Sequence, residues 1–262
     1  MTGSAELKEV YDREYTRGRY SRSAKRCVEE HALSTRVKSF VIDYDLADKR
    51  CLEIGCGLGA FQDLADNYVG IDISEVAGRS LHKPFVVASA TALPFADSTF
   101  DAAWTVATLE HVPYPEKALS EIRRVLRGGG LLLLAPAWYC RPWAAQGYAV
   151  RPYSDFDWRG KLIKASIPLR NSVVWRAPGM FWRRVLRLIQ YMSTRQPTTF
   201  YYRELEADYE HNWTSDSDAV NSMDPFEAIL WFISRGDRCL SYPTLWEAFF
   251  VRTGGIVFQI MK

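Results

Sequence analysis

Arg50-Cys51-Leu52-Glu53-Ile54-Gly55-Cys56-Gly57-Leu58-Gly59 is the stretch that decides how this 262-residue chain is read. Arg50–Ile54 has the apolar, β-compatible character of a strand, and a Gly-x-Gly-x-Gly turn follows it directly. Glycine has no Cβ, so such a turn brings backbone N–H groups close to a ligand at the carboxyl end of a strand. Gly55, Gly57 and Gly59 are therefore candidate binding residues, with Glu53 at the strand end beside them. The turn predicts a nucleotide-like ligand without naming it. Gly55-x-Gly57-x-x-Ala60 also satisfies the dinucleotide-binding fingerprint in its alanine-tolerant form, which keeps a nicotinamide-dependent oxidoreductase in view.

Outward from the turn, short apolar runs alternate with helical stretches. A helix is expected from the glycines to about Asp66, then strands at 68–71, 85–88 and 100–107. Pro115 is a favourable first-turn residue for a helix carrying Ala118, Leu119, Ile122, Val125 and Leu126. Arg127-Gly128-Gly129-Gly130 is expected to end that helix, and 131–135 reads as a fully apolar fifth strand. Strands alternating with helices mean a largely parallel sheet covered on both faces. Later, Asp224-Pro225 opens a helix with Phe226, Ile229, Leu230 and Ile233 on one face, and Gly236 stands where it should stop. Residues 246–252 and 256–261, on either side of Thr253-Gly254-Gly255, read as a β-hairpin. Asp72, after the second strand in Gly70-Ile71-Asp72-Ile73-Ser74, is placed to accept both hydroxyls of a ribose. This residue and the closing antiparallel hairpin weigh against a second nucleotide-binding half.

The motifs 51–59, 70–74, Ala92-Leu93-Pro94-Phe95-Ala96-Asp97-Ser98-Thr99-Phe100-Asp101, Leu109-Glu110-His111-Val112 and Arg124-Val125-Leu126-Arg127-Gly128-Gly129-Gly130 occur in this order. Together they resemble class I methyltransferases that use S-adenosylmethionine, in the small-molecule branch typified by ubiquinone/menaquinone methyltransferases. The resemblance covers residues 50 to 136, about a third of the chain. It implies a Rossmann-like α/β three-layer sandwich: a mostly parallel seven-stranded sheet ending in an antiparallel hairpin. It also implies S-adenosylmethionine as cofactor, S-adenosylhomocysteine as product, and no metal. Expected cofactor contacts are Glu53, Gly55, Gly57, Gly59, Asp72, Ile73, Ser89, Ala90 and Ala107. Tyr11, Tyr15 and Tyr20 join them, because in similar enzymes an amino-terminal segment folds over the cofactor. Ser89 departs from the pattern: an acidic residue usually stands there to hold the adenine amino group, and a hydroxyl accepts only one uncharged hydrogen bond.

Methyl transfer is an in-line displacement, so it demands alignment and an electron-rich acceptor. His111, after the fourth strand, is the first candidate general base. Its bland reading is a hydrogen-bonded cap for the next turn. His211, in the polar run Glu210-His211-Asn212-Trp213-Thr214-Ser215-Asp216-Ser217-Asp218, is the second, and its bland reading is an ordinary solvated loop.

The expected division is a helical lead-in over 1–48, a core over 49–135 and 224–262, and a substrate-facing cap inserted at 136–223, too long for an ordinary connection. From Pro136 to Arg203 there are twelve Lys and Arg against two Asp, although the whole chain carries only +2. That asymmetry predicts an anionic partner. Within it, Phe181, Trp182, Val185, Leu188 and Ile189 alternate with Arg183, Arg184 and Arg187. Such a helix either lies on a membrane surface or packs its apolar face on the core with its arginines solvated. Nucleic acid is disfavoured by the acidic remainder. The expected reaction is O-methylation of a hydroxyl or carboxylate, with N- and C-methylation left open, on a small-molecule acceptor or a nucleotide- or lipid-linked sugar. The rival from another class is a non-catalytic S-adenosylmethionine-binding regulator or scaffold. Five scattered cysteines and an apolar-poor amino terminus predict a reducing cytoplasm with no signal peptide.

Overall fold

A computed structural model describes residues 4–18, 31–194, 196–211, 213–214 and 216–262. Two helices, α1 (Ser4–Thr16) and α2 (His31–Asp43), come before the first strand. The sheet then grows through β1 (Arg50–Ile54), β2 (Asn67–Asp72), β3 (Phe85–Val87), β4 (Phe100–Val106) and β5 (Leu126–Ala135), all parallel to their neighbours. Helix α3 (Glu75–Gly78) follows β2, and α4 (Pro115–Val125) leads into β5. Residues 136–223 contribute α5 (Trp158–Asn171), α6 (Val173–Thr194) and a small antiparallel pair, β6 (Tyr202–Glu204) with β7 (Asn221–Met223). The chain returns through α7 (Pro225–Ile233), β8 (Arg238–Cys239), α8 (Leu245–Phe250) and β9 (Ile256–Gln259). The seven strands lie in the order β3-β2-β1-β4-β5-β9-β8, with β9 antiparallel to both neighbours. This is the expected mostly parallel seven-stranded sheet.

Strand pleating explains why helices are needed on both faces. Leu52, Ile54, Ala103, Leu132, Leu134, Ile256 and Phe258 pack with α4 and α7 in one buried cluster. Their alternates Cys51, Ala102, Trp104 and Leu133 pack with Val37, Phe40 and Val41 of α2 in the other. The central strands β1, β4 and the second half of β5 are buried on both sides, so they are mainly apolar rather than alternating.

Three expectations are corrected. No α-helix runs from the glycines to Asp66; Gln62–Leu64 forms a single 3-10 turn before β2 begins at Asn67. The Gly128–Gly130 triplet does not separate α4 from a strand starting at 131. It lies inside β5, where Gly129 takes φ +80° and the β4–β5 register shifts. The first arm of the expected terminal hairpin is helical. Thr244 and Glu247 form a reciprocal capping box that starts α8, and Ala248 and Phe249 bury its inner face. The antiparallel edge exists, but its partners are β8 and β9 with α8 between them.

Helix α6 also differs from expectation. Two of its arginines are turned inward rather than solvated: Arg184 is buried against Asp224 (2.6 Å), and Arg187 meets Glu227 (2.8 Å). Val185, Leu188 and Tyr191 accompany them toward the core. The opposite face exposes Trp182, Leu186 and Ile189, each more than half accessible.

Candidate active site

A cavity opens at the carboxyl ends of β1, β2 and β4, where parallel α/β sheets hold ligands. Three backbone positions shape it. Gly55 (φ +72°) ends β1, and a Cβ there would lie 2.2 Å from the Thr108 side chain, so no other residue fits. Thr108 is fixed in turn by donating to the Val106 carbonyl at 2.9 Å. Ala107, at φ +48°, turns β4 across the cavity mouth.

The loop amides are not free for a ligand. Gly55 and Cys56 N–H groups both donate to the Ile71 carbonyl at 2.9 Å, and Gly57 N–H donates to Asp72 Oδ2 at 3.0 Å. The glycines therefore act by making room and by bracing β1 against β2. This revises the expectation that the loop cradles its ligand with amide donors.

Asp72 lines the cavity, accepting from Gly57 on one oxygen and from Ser74 N–H (2.9 Å) on the other. Burial pushes its carboxyl up to about 6, against the pull of those backbone donors. Ile73, Ser89 and Ala90 line the same cavity with Gly55 and Ala107. The Ser89 hydroxyl is shared with the Thr91 hydroxyl at 2.9 Å and accepts from Thr91 N–H at 3.3 Å, a local turn that aims it inward.

Helix α1 closes the cavity from above. Asp12 Oδ1 accepts from the Ser74 hydroxyl (2.6 Å) and from Val76 N–H (3.3 Å), which pins the helix to the start of α3. Leu7, Tyr11 and Tyr15 of α1 then face the cavity, and the Tyr15 phenol lies beside the Asp72 carboxylate. Burial, then the Asp72 charge, raises the Tyr15 phenol well above its ordinary value, so it is a donor at any physiological pH. The space that remains is about 150 Å³. Small-molecule sites span about 300–1,000 Å³, so Tyr15 and its neighbours on α1 leave less room than such a site usually has.

His111 reaches the cavity from the 3-10 turn Leu109–His111. Its Nδ1 lies 3.5 Å from Asp218 Oδ2 and 3.3 Å from the Asp218 carbonyl, and its Nε2 lies 4.0 Å from Glu110 Oε1. Burial alone would lower the imidazole, but Asp218 and Glu110 outweigh it and the net shift is upward. The ring stands edge-on to Tyr11 at 6.4 Å. The 216–223 stretch holds this turn in place. Val220 N–H donates to the Glu110 carbonyl (2.9 Å), and the Asn221 amide donates to both the Leu109 and Val112 carbonyls (2.8 Å).

The remaining expected site residues lie elsewhere. The Glu53 carboxyl accepts from the Tyr68 hydroxyl at 2.5 Å and is pushed up to about 8 by burial; it does not line the cavity. Gly59 packs against Leu81 and Gln62, and Gly57 reaches the site through its N–H bond to Asp72 and its approach to Tyr15. His211 is half exposed, held by Asp208 at 3.2 Å and stacked on Trp213, away from the cavity. Tyr20 lies outside the described residues. Tyr11, from the same amino-terminal segment as Tyr15, joins the cavity wall as expected, whereas Thr108 and Asp218 complete the site without having been expected. No local pattern marks them, because each is recruited by a long-range contact.

Residues 52–134 match the family model described as a methyltransferase domain. That stretch, from β1 to β5, is thus similar to methyltransferase domains. An uncharacterised protein of Methanocaldococcus jannaschii is 34% identical over 139 residues, covering 50% of this chain and 51% of its own. The demethylmenaquinone methyltransferase of Renibacterium salmoninarum is 37% identical over 98 residues, covering 33% and 40% respectively. The sterol 4-C-methyltransferase of Caenorhabditis elegans is 33% identical over 99 residues, covering 32% and 30%. The chain thus spans about half the length, or less, of these curated relatives. The crystal structure of a SAM-dependent methyltransferase from Thermotoga maritima shares the fold over nearly all of both chains (97% and 99%), with a TM-score of 0.51 at 16% identity.

The residues present suit S-adenosylmethionine chemically. Asp72 offers a buried carboxylate for a ribose diol, Ile73 and Ala90 offer apolar walls for an adenine, and Ser89 offers one uncharged acceptor. Among the described residues no helix is long and apolar enough to cross a membrane.

Proposed function

We propose that this protein transfers a methyl group from S-adenosylmethionine to a hydroxyl oxygen of a small anionic acceptor, either free or as part of a nucleotide- or lipid-linked sugar. The observation that carries the reading is His111. It stands at the rim of the cavity that Asp72 and Gly55 line, with Asp218 behind one ring nitrogen and Glu110 near the other. Asp72 binds the ribose diol once Tyr15 makes room, and Ser89 takes the adenine amino group. When bound, S-adenosylmethionine supplies an electrophilic methyl group. The Asp218 carboxylate orients His111 and makes it more basic, so that neutral His111 removes the acceptor's hydroxyl proton as its oxygen is alkylated. The basic composition of 136–203 supports an anionic acceptor.

The test is turnover. S-adenosylhomocysteine should accumulate with phosphorylated hydroxyl compounds and S-adenosylmethionine, and a His111→Gln variant should lose at least about 100-fold of that rate, as expected for a general base. Tight S-adenosylhomocysteine binding without turnover on hydroxyl or carboxylate acceptors would return the protein to the role of a non-catalytic sensor.

A further inference from the structure

Outside the cavity already described, an open groove of about 850 Å³ runs between α5, α6 and the segment after β5. Arg141, Arg170, Arg176 and Arg203 line it, and among the described residues none of these four has a carboxylate partner. Arg183, also in the groove, is paired with Asp224 at 2.8 Å. Three of these four cations lie over aromatic rings instead. Arg141 and Arg170 lie 5.9 and 6.0 Å from the centre of the Trp143 ring, and Arg176 lies 5.2 Å from that of Tyr139. Burial, and then the nearby Arg176 charge, lowers the Arg141 guanidinium. Arginines gathered without a counter-ion are costly, and a bound phosphate offsets that cost through bidentate, charge-assisted hydrogen bonds.

A second pocket, of about 270 Å³, shares Tyr139, Arg176 and Met180 with this groove. Its other walls are mainly apolar, with Ala177, Phe181, Phe249 and Phe250 prominent. Tyr139 stands between the two at φ +61°, a conformation that a bulky L-residue adopts only when its surroundings impose it. Here they do: Arg184 donates to its hydroxyl (2.7 Å), which donates onward to Asp224 (3.0 Å). The groove is also close to the candidate active site. Ser222 and Met223 line it, and the preceding residue, Asn221, holds the Val112 carbonyl of the cavity wall.

We propose that this composite site binds a phosphorylated amphiphile, its phosphate in the arginine groove and its hydrocarbon chain in the pocket beside Met180 and Phe249. The proposal rests on the methyl-transfer reading for its role, since such a ligand is then the acceptor, and it deepens that reading by naming the acceptor's class.

Calorimetry on the full chain tests it with octyl phosphate, inorganic phosphate and octyl glucoside, each below any micelle concentration. Octyl phosphate should bind at least about tenfold more tightly than inorganic phosphate or octyl glucoside, since each lacks one half of the recognition. An Arg141→Gln/Arg176→Gln variant should lose about tenfold or more of that affinity, the scale of a hydrogen bond to a charged group. Phe250→Ser, on the apolar wall, should weaken octyl phosphate and leave inorganic phosphate unchanged. Sedimentation with phosphatidic acid vesicles, lost in the double variant, would assign the amphiphile to a bilayer. Octyl phosphate binding without sedimentation would assign it to a soluble ester, and either result supports the site. Octyl phosphate binding no tighter than its two fragments, or unchanged in the double variant, overturns it. S-adenosylhomocysteine titrated into the same samples keeps the two ideas apart: its retention in the double variant shows an intact fold, and its failure to bind wild-type protein strikes the methyl-transfer reading instead.

Discussion

The Tyr15 phenol and the Asp72 carboxylate line the same cavity side by side, so a side chain of α1 crowds the acceptor that a ribose diol would use. Gly57 and Ser74 N–H groups already occupy part of that carboxylate. A carboxylate has roughly four lone-pair sites, so tyrosine and ribose compete for what is left.

Tyr15→Phe should therefore tighten S-adenosylhomocysteine binding by about two- to tenfold, the worth of one ordinary hydrogen bond. Calorimetry reads this directly. Weaker binding in the variant would mean that Tyr15 contacts the ligand rather than competing with it.

Asp72 also predicts a pH limit. Its carboxyl is raised to about 6, so it begins to protonate at mildly acidic pH and then loses acceptor capacity. S-adenosylhomocysteine affinity should be flat above neutrality and fall as pH drops through 6. Asp72→Asn should bind about 10- to 100-fold more weakly at pH 7.5 and lose that pH dependence. Titrations at three pH values decide it.

His111 adds a second acidic limb, in the same sense. Its pKa is raised mainly by Asp218, so catalysis needing the neutral ring should rise with pH through a value above the usual 6.5. Asp218→Asn should move that acidic limb of the rate profile to lower pH. For stability the sign is the reverse. The charged His111–Asp218 contact is fully present below the unfolded histidine pKa and is lost as pH rises through the folded one. Denaturation midpoints of wild type and Asp218→Asn should accordingly converge at high pH.

Asp224 should matter to folding more than its position suggests. It caps α7 by accepting from Phe226 N–H (3.0 Å) and receives both Arg183 and Arg184. Arg184 further donates to the Phe249 and Val251 carbonyls. Asp224→Asn leaves Arg184 buried without its counter-charge, at a cost of about 3–5 kcal/mol. At roughly 2–4 °C per kcal/mol for a domain near this size, a Tm drop of about 6–20 °C is expected by calorimetric scanning.

Much of the sheet was legible because buried strands announce themselves. Leu131–Ala135 is apolar on both faces, and Gly55 follows β1 where only glycine fits. Asp72 and His111 were legible from their place after strands. The helix α8 was not. Its aromatic run resembles a strand, and the capping pair Thr244 and Glu247 was the signal that distinguished it. Asp218 was out of reach for another reason: it meets His111 across 107 residues of chain, through a clamp made by Val220 and Asn221. Glu53 misled because a carboxylate beside a glycine turn looks like a binding group, whereas Tyr68 consumes it from the neighbouring strand.

Helix α6 leaves one more consequence. Its inward side is secured by Arg184 and Arg187, and its outward side chains Trp182, Leu186 and Ile189 contribute little to holding the fold. Folding therefore places almost no demand on what those three positions are. Polar replacements there should leave the melting curve where it is, so any loss of performance they cause can be credited to what the helix meets outside the molecule.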